Sequence, residues 1–519
     1  MTGNRNAALH FVDRHVDEGR GDKVAFREAA GQRRSLTYGA LARRSDLVAG
    51  ALARADIRPE ERAACILLDQ VEYPEIFWGA LKAGVVPVAL NTLLSTPIYD
   101  FILRDSRATC LFVSAELLDV VMPAARGVDS IRQVIVIGGA APEGAIAYED
   151  FLQGAKPGPT RVVSDDECAF WLYSSGSTGQ PKGVRHVHGA LKATADTYGA
   201  QVLGIREDDT VFSVAKIFFA YGLGNAMTFP MSVGATTVLF NGRPTPQVVT
   251  EILAQERPTI FCGVPTLYAA TVHHLEKTGV PAGDLRLCIS AGEALPGEIG
   301  NRWRDLWGVD ILDGVGSTEM LHIFLSNRPG DVVYGTSGLP VPGYELRCVN
   351  EDGQEIVPGE VGELLVRGAS AAEGYWNKRD KSRATFEGEW TRTGDKYEVT
   401  PEGRFVYCGR TDDMFKVSGI WVSPFEVEQA LIAHPGVLEA AVVPQRDEDG
   451  LEKPKAFVVL KDGVDAAATV DALKDFVKAR VGAWKYPRWV EVVPDLPKTA
   501  TGKIQRFKLR ESAPEKEHA

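Results

Sequence analysis

The sequence has little cysteine, and no pattern in what it has. Cys65, Cys110, Cys168, Cys262, Cys288, Cys348 and Cys408 are scattered, odd in number, and include no C-x-x-C pair. This spacing excludes a zinc ribbon, a dithiol redox motif and a disulfide framework, and predicts reduced, mostly buried thiols. Surplus positive charge is also missing. A net charge of -12 leaves no excess of Lys and Arg to neutralise a phosphate backbone, so no nucleic-acid partner is expected. No apolar run approaches the length of a bilayer span, so no membrane partner is expected either. Met1 to Gly21 is polar where a secretory leader would be apolar, and the final Glu517-His518-Ala519 is not a peroxisomal address. The expectation is a cytoplasmic protein, monomeric or homodimeric.

A chain of 519 residues, 45% hydrophobic and 24% charged, exceeds one ordinary core and predicts at least two folded domains. Helix-like stretches (Tyr38–Arg54, Tyr73–Ala83) alternate with short apolar runs (Ala63–Leu68, Val85–Leu90, Thr109–Val113, Gln133–Ile137). That is the signature of a parallel sheet covered by helices. The alternation returns at Val211–Val214, Ala235–Leu239, Thr259–Cys262 and Leu285–Ser290, predicting a second, similar α/β half. From Tyr344 to Tyr407 the runs become short and β-like, broken by Gly, Pro and Asp. Beyond Asp412 the texture is that of a small α+β unit, with helices at Phe425–Ala433 and Val470–Arg480 and strands at Val437–Val443, Lys455–Leu460 and Arg488–Val493. The predicted fold is α/β. A large domain, residues 1–411, holds two similar α/β subdomains plus a small β element, and a small mobile α+β domain follows over 412–519.

The densest chemical signal is Tyr173-Ser174-Ser175-Gly176-Ser177-Thr178-Gly179-Gln180-Pro181-Lys182-Gly183. Three glycines allow close backbone approach to an anion, the four Ser and Thr hydroxyls donate hydrogen bonds, and Lys182 supplies charge. It is not a Walker loop, since Pro181 stands where that motif needs Gly and Gly183 where it needs Ser or Thr. Two further strings, Gly292-Glu293-Ala294-Leu295-Pro296 and Asp313-Gly314-Val315-Gly316-Ser317-Thr318-Glu319, each follow an apolar strand, which places them at the carboxyl ends where such sheets bind ligands. Thr393-Gly394-Asp395, Arg410 and Pro497-Lys498-Thr499-Ala500-Thr501-Gly502-Lys503-Ile504 complete the set.

The order and spacing of these strings resemble the adenylate-forming superfamily of acyl-CoA synthetases, peptide-synthetase adenylation domains and luciferases. The resemblance covers nearly the whole chain. It implies an ATP- and coenzyme A-dependent ligase that converts a carboxylate to an acyl-adenylate and then a thioester, releasing pyrophosphate and AMP. It implies that Ser174, Ser175, Gly176, Ser177, Thr178, Gly179 and Lys182 hold the phosphates, with Gly292, Glu293, Ala294, Asp313, Gly314 and Ser317 around the adenine and α-phosphate. Thr318 would bond the phosphate, Glu319 help hold Mg²⁺, and Asp395, assisted by Arg410, bind the ribose hydroxyls. Lys503 would be the catalytic lysine, and its setting is similar to a site of reversible acetylation, with an acetyltransferase and deacetylase as partners. Asp412 would be the hinge, and Lys416, Ser418, Gly419 and Trp421 the coenzyme A face, with Ser418 where some relatives carry Gly.

In the acyl motif Lys216–Asn225, the resemblance makes Phe219 the gate beside the carboxylate and Ala220, Tyr221, Ala291, Gly316, His322 and Ile323 the pocket walls. Small Ala220, Ala291 and Gly316 leave a flat slot that Tyr221 and Ile323 close, favouring a compact aromatic ring over an alkyl chain. The motif lacks the Asp that pairs with an amino-acid substrate. His322 reads equally as core or as ligand contact. Phe218–Asn225, Gly263-Val264-Pro265-Thr266 and Gly316–Phe324 resemble the members of the superfamily that act on benzoate. Benzoate is therefore the expected acid, ahead of hydroxybenzoate, aminobenzoate and cyclohexane carboxylate. A stand-alone adenylation domain loading a carrier protein and a non-catalytic nucleotide sensor are the competing readings.

Overall fold

The computed structural model describes residues 3–175, 180–411, 413–417, 420–448, 450–482, 485–498 and 504–511. Two sheets dominate. The first has eight strands in the order Gly374–Tyr375, Pro181–Val187, Cys168–Ser175, Val86–Ala89, Arg62–Ile66, Ala108–Ser114, Gln133–Ile137, Ile146–Ala147. The last six run parallel, and Pro181–Val187 runs antiparallel to both its neighbours, its hairpin partner Cys168–Ser175 and the edge strand Gly374–Tyr375. The second has nine strands, with a parallel centre formed by Ile311–Gly316, Leu287–Ser290, Ile260–Gly263, Thr210–Ser213, Thr236–Leu239 and Val24–Glu28.

Alternation along each strand decides which layer a residue joins. Cys110 and Phe112 point to a central core while Leu111 and Val113 enter an outer one; in the second sheet Ile260 and Cys262 face the centre and Phe261 the outside. Successive strand side chains point to opposite faces, and an all-apolar strand therefore needs cover on both. Helices Thr96–Ser106 and Leu118–Ala125 cover the first sheet's outer face. Pro246–Glu256, Pro265–Thr278 and Gly297–Trp307 cover the second's. Between the sheets lies a shared layer that includes Tyr38–Arg54 and Glu72–Ala83, contributing Leu41, Val48, Leu52, Ile76 and Phe77 to one continuous core. Thr37 caps the first of these helices through its hydroxyl, which accepts from Ala40 N.

The two halves are not contiguous in sequence, contrary to expectation. Val24–Glu28 pairs with Thr236–Leu239, so the chain starts in the second sheet and then crosses to build the first. No signal for this is present in Val24–Glu28, whose Arg27 and Glu28 read as a polar surface strand. The small β element is as expected and larger: Glu345–Val349, Val361–Arg367, Phe386–Glu387, Trp390–Val399 and Phe405–Arg410 form one five-stranded sheet.

The C-terminal unit has a sheet of Val437–Arg446, Glu452–Leu460 and Trp489–Val492, packed by Pro424–Ile432 and Ala466–Val481 around its own core. Asp413, beside the expected hinge, is held by Arg510 at 2.5 Å and faces Arg506 at 3.6 Å. Asp412 itself lies outside the described residues. Six cysteines are buried and all seven are free thiols, as expected. Among the described residues no helix is long and apolar enough to cross a membrane.

The central layer contains one fully buried cation, Lys82, whose ammonium donates to Asp13 and Asp46 at 2.6 Å each. This ties the N-terminal segment to two helices of the shared layer. Removing the charge strands two carboxylates, so Lys82→Met is expected to lower unfolding stability by about 3 kcal/mol, checked by urea denaturation.

Candidate active site

The described ends of the Ser/Gly-rich string belong to the two arms of a β-hairpin rather than to a free loop. Tyr173 pairs with Gly183, Ser174 with Lys182 and Ser175 with Pro181. The ladder therefore absorbs the backbone groups of Ser174 and Lys182, which sequence reading placed in a loop. Gly176, Ser177, Thr178 and Gly179 lie outside the described residues. The hairpin is anchored near its turn, where Tyr173 donates its phenol to Asp105 at 2.7 Å and Trp376 N donates to Gly183 O at 2.8 Å.

Lys182 emerges half-buried beside the string that ends in Glu319. Its ammonium sits 4.2 Å over the ring of Tyr375, and that phenol donates to Glu319 Oε1 at 2.8 Å. Burial lowers the Lys182 pKa, opposed by the nearby Glu319 charge. Tyr375 is absent from the sequence prediction, because a Gly-Tyr pair in polar surroundings carries no chemical signature. Among the described residues no group of three or more His, Cys, Asp or Glu is placed to hold a metal ion. The carboxylate of Glu319 is an oxygen ligand suited to a hard cation that takes its remaining ligands from substrate oxygens.

Asp313, Gly314 and Gly316 do not follow a strand but belong to one, Ile311–Gly316. Asp313 is buried, with Oδ2 accepting from Leu295 N at 3.2 Å and Oδ1 without a partner; burial raises its pKa well above the carboxylate range. This bond draws the Gly292–Leu295 segment against the strand. Gly292, at φ +97, turns the chain out of Leu287–Ser290 in a conformation open to glycine. Ser317 accepts from Met320 N at 3.1 Å, which shapes the turn through Thr318 and Glu319. Leu321 follows at φ +66, a strained position for a branched residue, held there by complete burial.

Thr393-Gly394-Asp395 likewise lies inside a strand, Trp390–Val399, where its residues bulge opposite Leu364. Gly394 takes φ +71 there, and Thr393 donates to Leu364 O at 2.8 Å. The bulge aims Asp395 at its cross-strand partner Arg410, which donates to Asp395 Oδ1 at 3.0 Å and to Thr393 O at 2.9 Å. Asp395 and Arg410 are therefore one ion pair on neighbouring strands. Glu293 accepts a hydrogen bond from Ile504 N at 3.2 Å. Lys498 and Ile504 bridge antiparallel across the segment that contains Lys503. Lys503 lies outside the described residues, as do Ser418 and Gly419 and the side chains of Ser175, Lys416 and Trp421.

The acyl-motif residues do converge. Phe219 precedes helix Ala220–Leu223, with its ring 4.4 Å from that of Phe218. Tyr221 is pinned, donating to Gly263 O and Ile289 O at 3.1 Å each, so it reaches the ends of two parallel strands. His322 is buried among Tyr198, Tyr221 and Phe229, with Nε2 on Tyr221 O at 3.2 Å and Nδ1 unpartnered. Space for it exists because residue 224 is glycine: a Cβ there would lie 2.6 Å from Nε2. Gly316 is equally constrained, its Cβ position being 2.5 Å from His322 O. Ala291 and Ile323 are buried beside them. Asp69, missed in sequence, caps this wall: its buried carboxylate accepts from Ile217 N at 3.2 Å and has a pKa raised to about 6 by burial. It stands beyond strand Arg62–Ile66 and so links the first sheet to the acyl motif of the second.

Residues 12–376 match the family described as AMP-binding enzyme, and residues 426–503 match the AMP-binding enzyme C-terminal domain. The chain belongs to the AMP-binding enzyme family. It is 52% identical over 511 residues to a 4-hydroxybenzoate-CoA/benzoate-CoA ligase of Rhodopseudomonas palustris, covering 98% of this chain and 94% of that one. It is 53% identical over 513 residues to a benzoate-CoA ligase of Thauera aromatica, covering 97% and 95%. Among solved structures, a benzoate CoA ligase from Burkholderia xenovorans superposes with a TM-score of 0.89 at 48% identity, covering 98% of this chain and 99% of that one. An anthranilate CoA ligase in complex with anthranoyl-AMP reaches 0.94 at 41%, covering 99% and 98%.

Burial lowers the His322 pKa from 6.5 to about 3. The unfolded chain therefore takes up a proton that the folded chain refuses, and His322 costs stability as pH falls below 6.5. Relative to a non-titrating His322→Asn variant, the wild type is expected to lose about 1.4 kcal/mol per pH unit between pH 6 and 4, read from paired denaturation curves.

Proposed function

We propose that this protein is an acid-thiol ligase that activates benzoate: ATP converts the acid to benzoyl-adenylate, and coenzyme A converts that to benzoyl-CoA. The observation that carries the reading is the convergence at one place of a phosphate hairpin with Lys182, a buried Asp313 with one free acceptor, the Asp395–Arg410 pair and an aromatic-lined slot. Relatives whose names specify benzoate, at 52% and 53% identity over nearly the whole chain, support the choice of acid.

In this reading a carboxylate oxygen attacks the α-phosphorus of ATP and pyrophosphate leaves. Coenzyme A thiolate then attacks the acyl carbon and AMP leaves. Ser174, Ser175, Gly176, Ser177, Thr178, Gly179 and Lys182 hold the outer phosphates. Asp313 Oδ1 accepts from the nucleotide base beside Gly292, Glu293, Ala294, Gly314 and Ser317, and Asp395 accepts the ribose hydroxyls while Arg410 fixes its orientation. Thr318 bonds the α-phosphate. The carboxylate of Glu319 fits Mg²⁺, which when bound offsets the charge of the triphosphate. Lys503 carries the positive charge that stabilises the pentacovalent phosphorus in the first step. Acetylation of Lys503 would remove that charge and switch the first step off.

The slot is flat because Gly224 and Gly316 yield their Cβ volume to His322. Tyr221 is pinned across the strand ends, so it cannot swing aside for a longer chain. Phe219, Ala220, Ala291 and Ile323 supply the remaining contacts. The two half-reactions present different groups to one carbonyl, so we assign residues 412–519 as a domain that turns at Asp412 and exchanges Lys503 for Lys416, Ser418, Gly419 and Trp421.

Incubation with ATP, coenzyme A and a panel of benzoates and alkanoates tests the activity. Benzoate is expected to give a thioester with the highest kcat/KM, and adenylate without thioester would sink the ligase reading. Hydroxy- and aminobenzoates should follow within about 10- to 200-fold, since one small group changes binding in an apolar pocket by ~1–3 kcal/mol. Lys503→Ala should reduce pyrophosphate exchange by about two to three orders of magnitude. Thioester formation from supplied benzoyl-adenylate should survive; equal loss of both steps would contradict the two-orientation assignment.

A further inference from the structure

Tyr375 touches two groups that the phosphate chemistry needs, from opposite sides. Its ring lies under the Lys182 ammonium at 4.2 Å, and its hydroxyl donates to Glu319 Oε1 at 2.8 Å. Neither contact is incidental to a mobile side chain. Gly374–Tyr375 pairs antiparallel with Val184 and Arg185, the outgoing arm of the phosphate hairpin. Tyr375 N donates to Ser382 Oγ at 2.9 Å, Trp376 N donates to Gly183 O at 2.8 Å, and Ala372 N donates to Glu319 O at 2.8 Å. Tyr375 is 6% exposed. It is a fixed third strand joining the Glu319 turn to the hairpin.

The two contacts have different chemistry. A phenol that donates to one carboxylate oxygen fixes the rotation of that carboxylate about its terminal bond. Glu319 Oε1, as a carboxylate oxygen, accepts, and the phenol is the donor. The negative face of an aromatic ring holds an ammonium without pairing it with an opposite charge, which leaves the Lys182 ammonium open toward an incoming phosphate. A carboxylate partner at that place would consume the charge, and among the described residues none lies within ion-pair distance of Lys182. Like-signed demands are thereby separated: one face of Tyr375 presents a cation to phosphate and its hydroxyl presents an anion to a divalent metal ion.

We propose that Tyr375 is a positioning residue of the nucleotide site, orienting Glu319 for the divalent cation through its hydroxyl and Lys182 for the outer phosphates through its ring. The assignment rests on the nucleotide reading above. It separates into two variants. Tyr375→Phe keeps the ring and loses the hydroxyl; Tyr375→Leu loses both.

The test is the dissociation constant of ATP by calorimetry, measured once in EDTA and once in saturating Mg²⁺. Tyr375→Phe is expected to match the wild type within about twofold in EDTA and to bind about tenfold more weakly in Mg²⁺, the scale of one hydrogen bond to a charged group. Tyr375→Leu is expected to lose about tenfold in EDTA as well, the scale of a partly buried cation–π contact. In a Glu319→Gln background the Tyr375→Phe change should add no further Mg²⁺-dependent loss. A wild-type Mg²⁺ response in Tyr375→Phe, or equal loss in both conditions accompanied by a matching drop in Tm, would overturn the assignment while leaving the nucleotide reading intact. A wild-type protein that binds no ATP would overturn both.

Discussion

The structure depends on burying one shared layer between two parallel sheets. Each sheet is apolar on both faces, and neither has enough helices of its own to cover the inner one. Tyr38–Arg54 and Glu72–Ala83 cover both at once, placing Leu41, Phe77, Phe112, Ile260 and Leu312 in a single core. Burial on this scale, at roughly 25 cal/mol for each Å² of apolar surface, leaves little freedom for the sheets to slide. Their relative position is therefore as fixed as the interior of one domain. Asp69 marks the consequence, since a residue beyond a strand of the first sheet accepts a backbone hydrogen bond from Ile217 in the acyl motif of the second.

That constraint explains why site residues far apart in sequence need no long flexible loops to meet. The hairpin around Ser174 and Lys182 belongs to the first sheet, next to its edge strand Gly374–Tyr375, while Asp313 and Gly316 are part of a strand of the second. The five-stranded sheet brings Asp395 and Arg410 as a cross-strand pair. At the candidate site the chain changes direction at residues of positive φ, among them Gly292, Leu321 and Gly394. Strain of this kind, about 1–3 kcal/mol at a non-glycine position, persists only where packing over-determines it. Leu321, 2% exposed, is held in that way.

Much of this was legible beforehand. The parallel strands from Ala63 to Ile137 and from Val211 to Ser290 were predicted within a few residues, because runs buried on both faces are continuous and apolar. The Tyr173–Gly183 string stands out in the sequence because glycines, hydroxyls and a lysine seldom cluster so densely. The reading failed where pairing, not composition, sets conformation. Val24–Glu28 belongs to a sheet whose next parallel neighbour in space is more than 200 residues on. Thr393–Asp395 looks like a turn and is a bulge, since only the partner strand at Leu364 defines a bulge.

Sequence by itself determined the class of fold, the density of glycine, hydroxyl and lysine in Tyr173–Gly183, and the small residues at Ala220, Ala291 and Gly316. These are properties of residue type and local order, which a chain carries with it unfolded. Tertiary structure alone decided that Lys182 and Glu319 share Tyr375, that Asp395 faces Arg410, and that His322 is buried in the space left by Gly224. Each of these is a contact between strands or turns distant in sequence. A contact is defined by sheet register and packing, neither of which is written in any one segment.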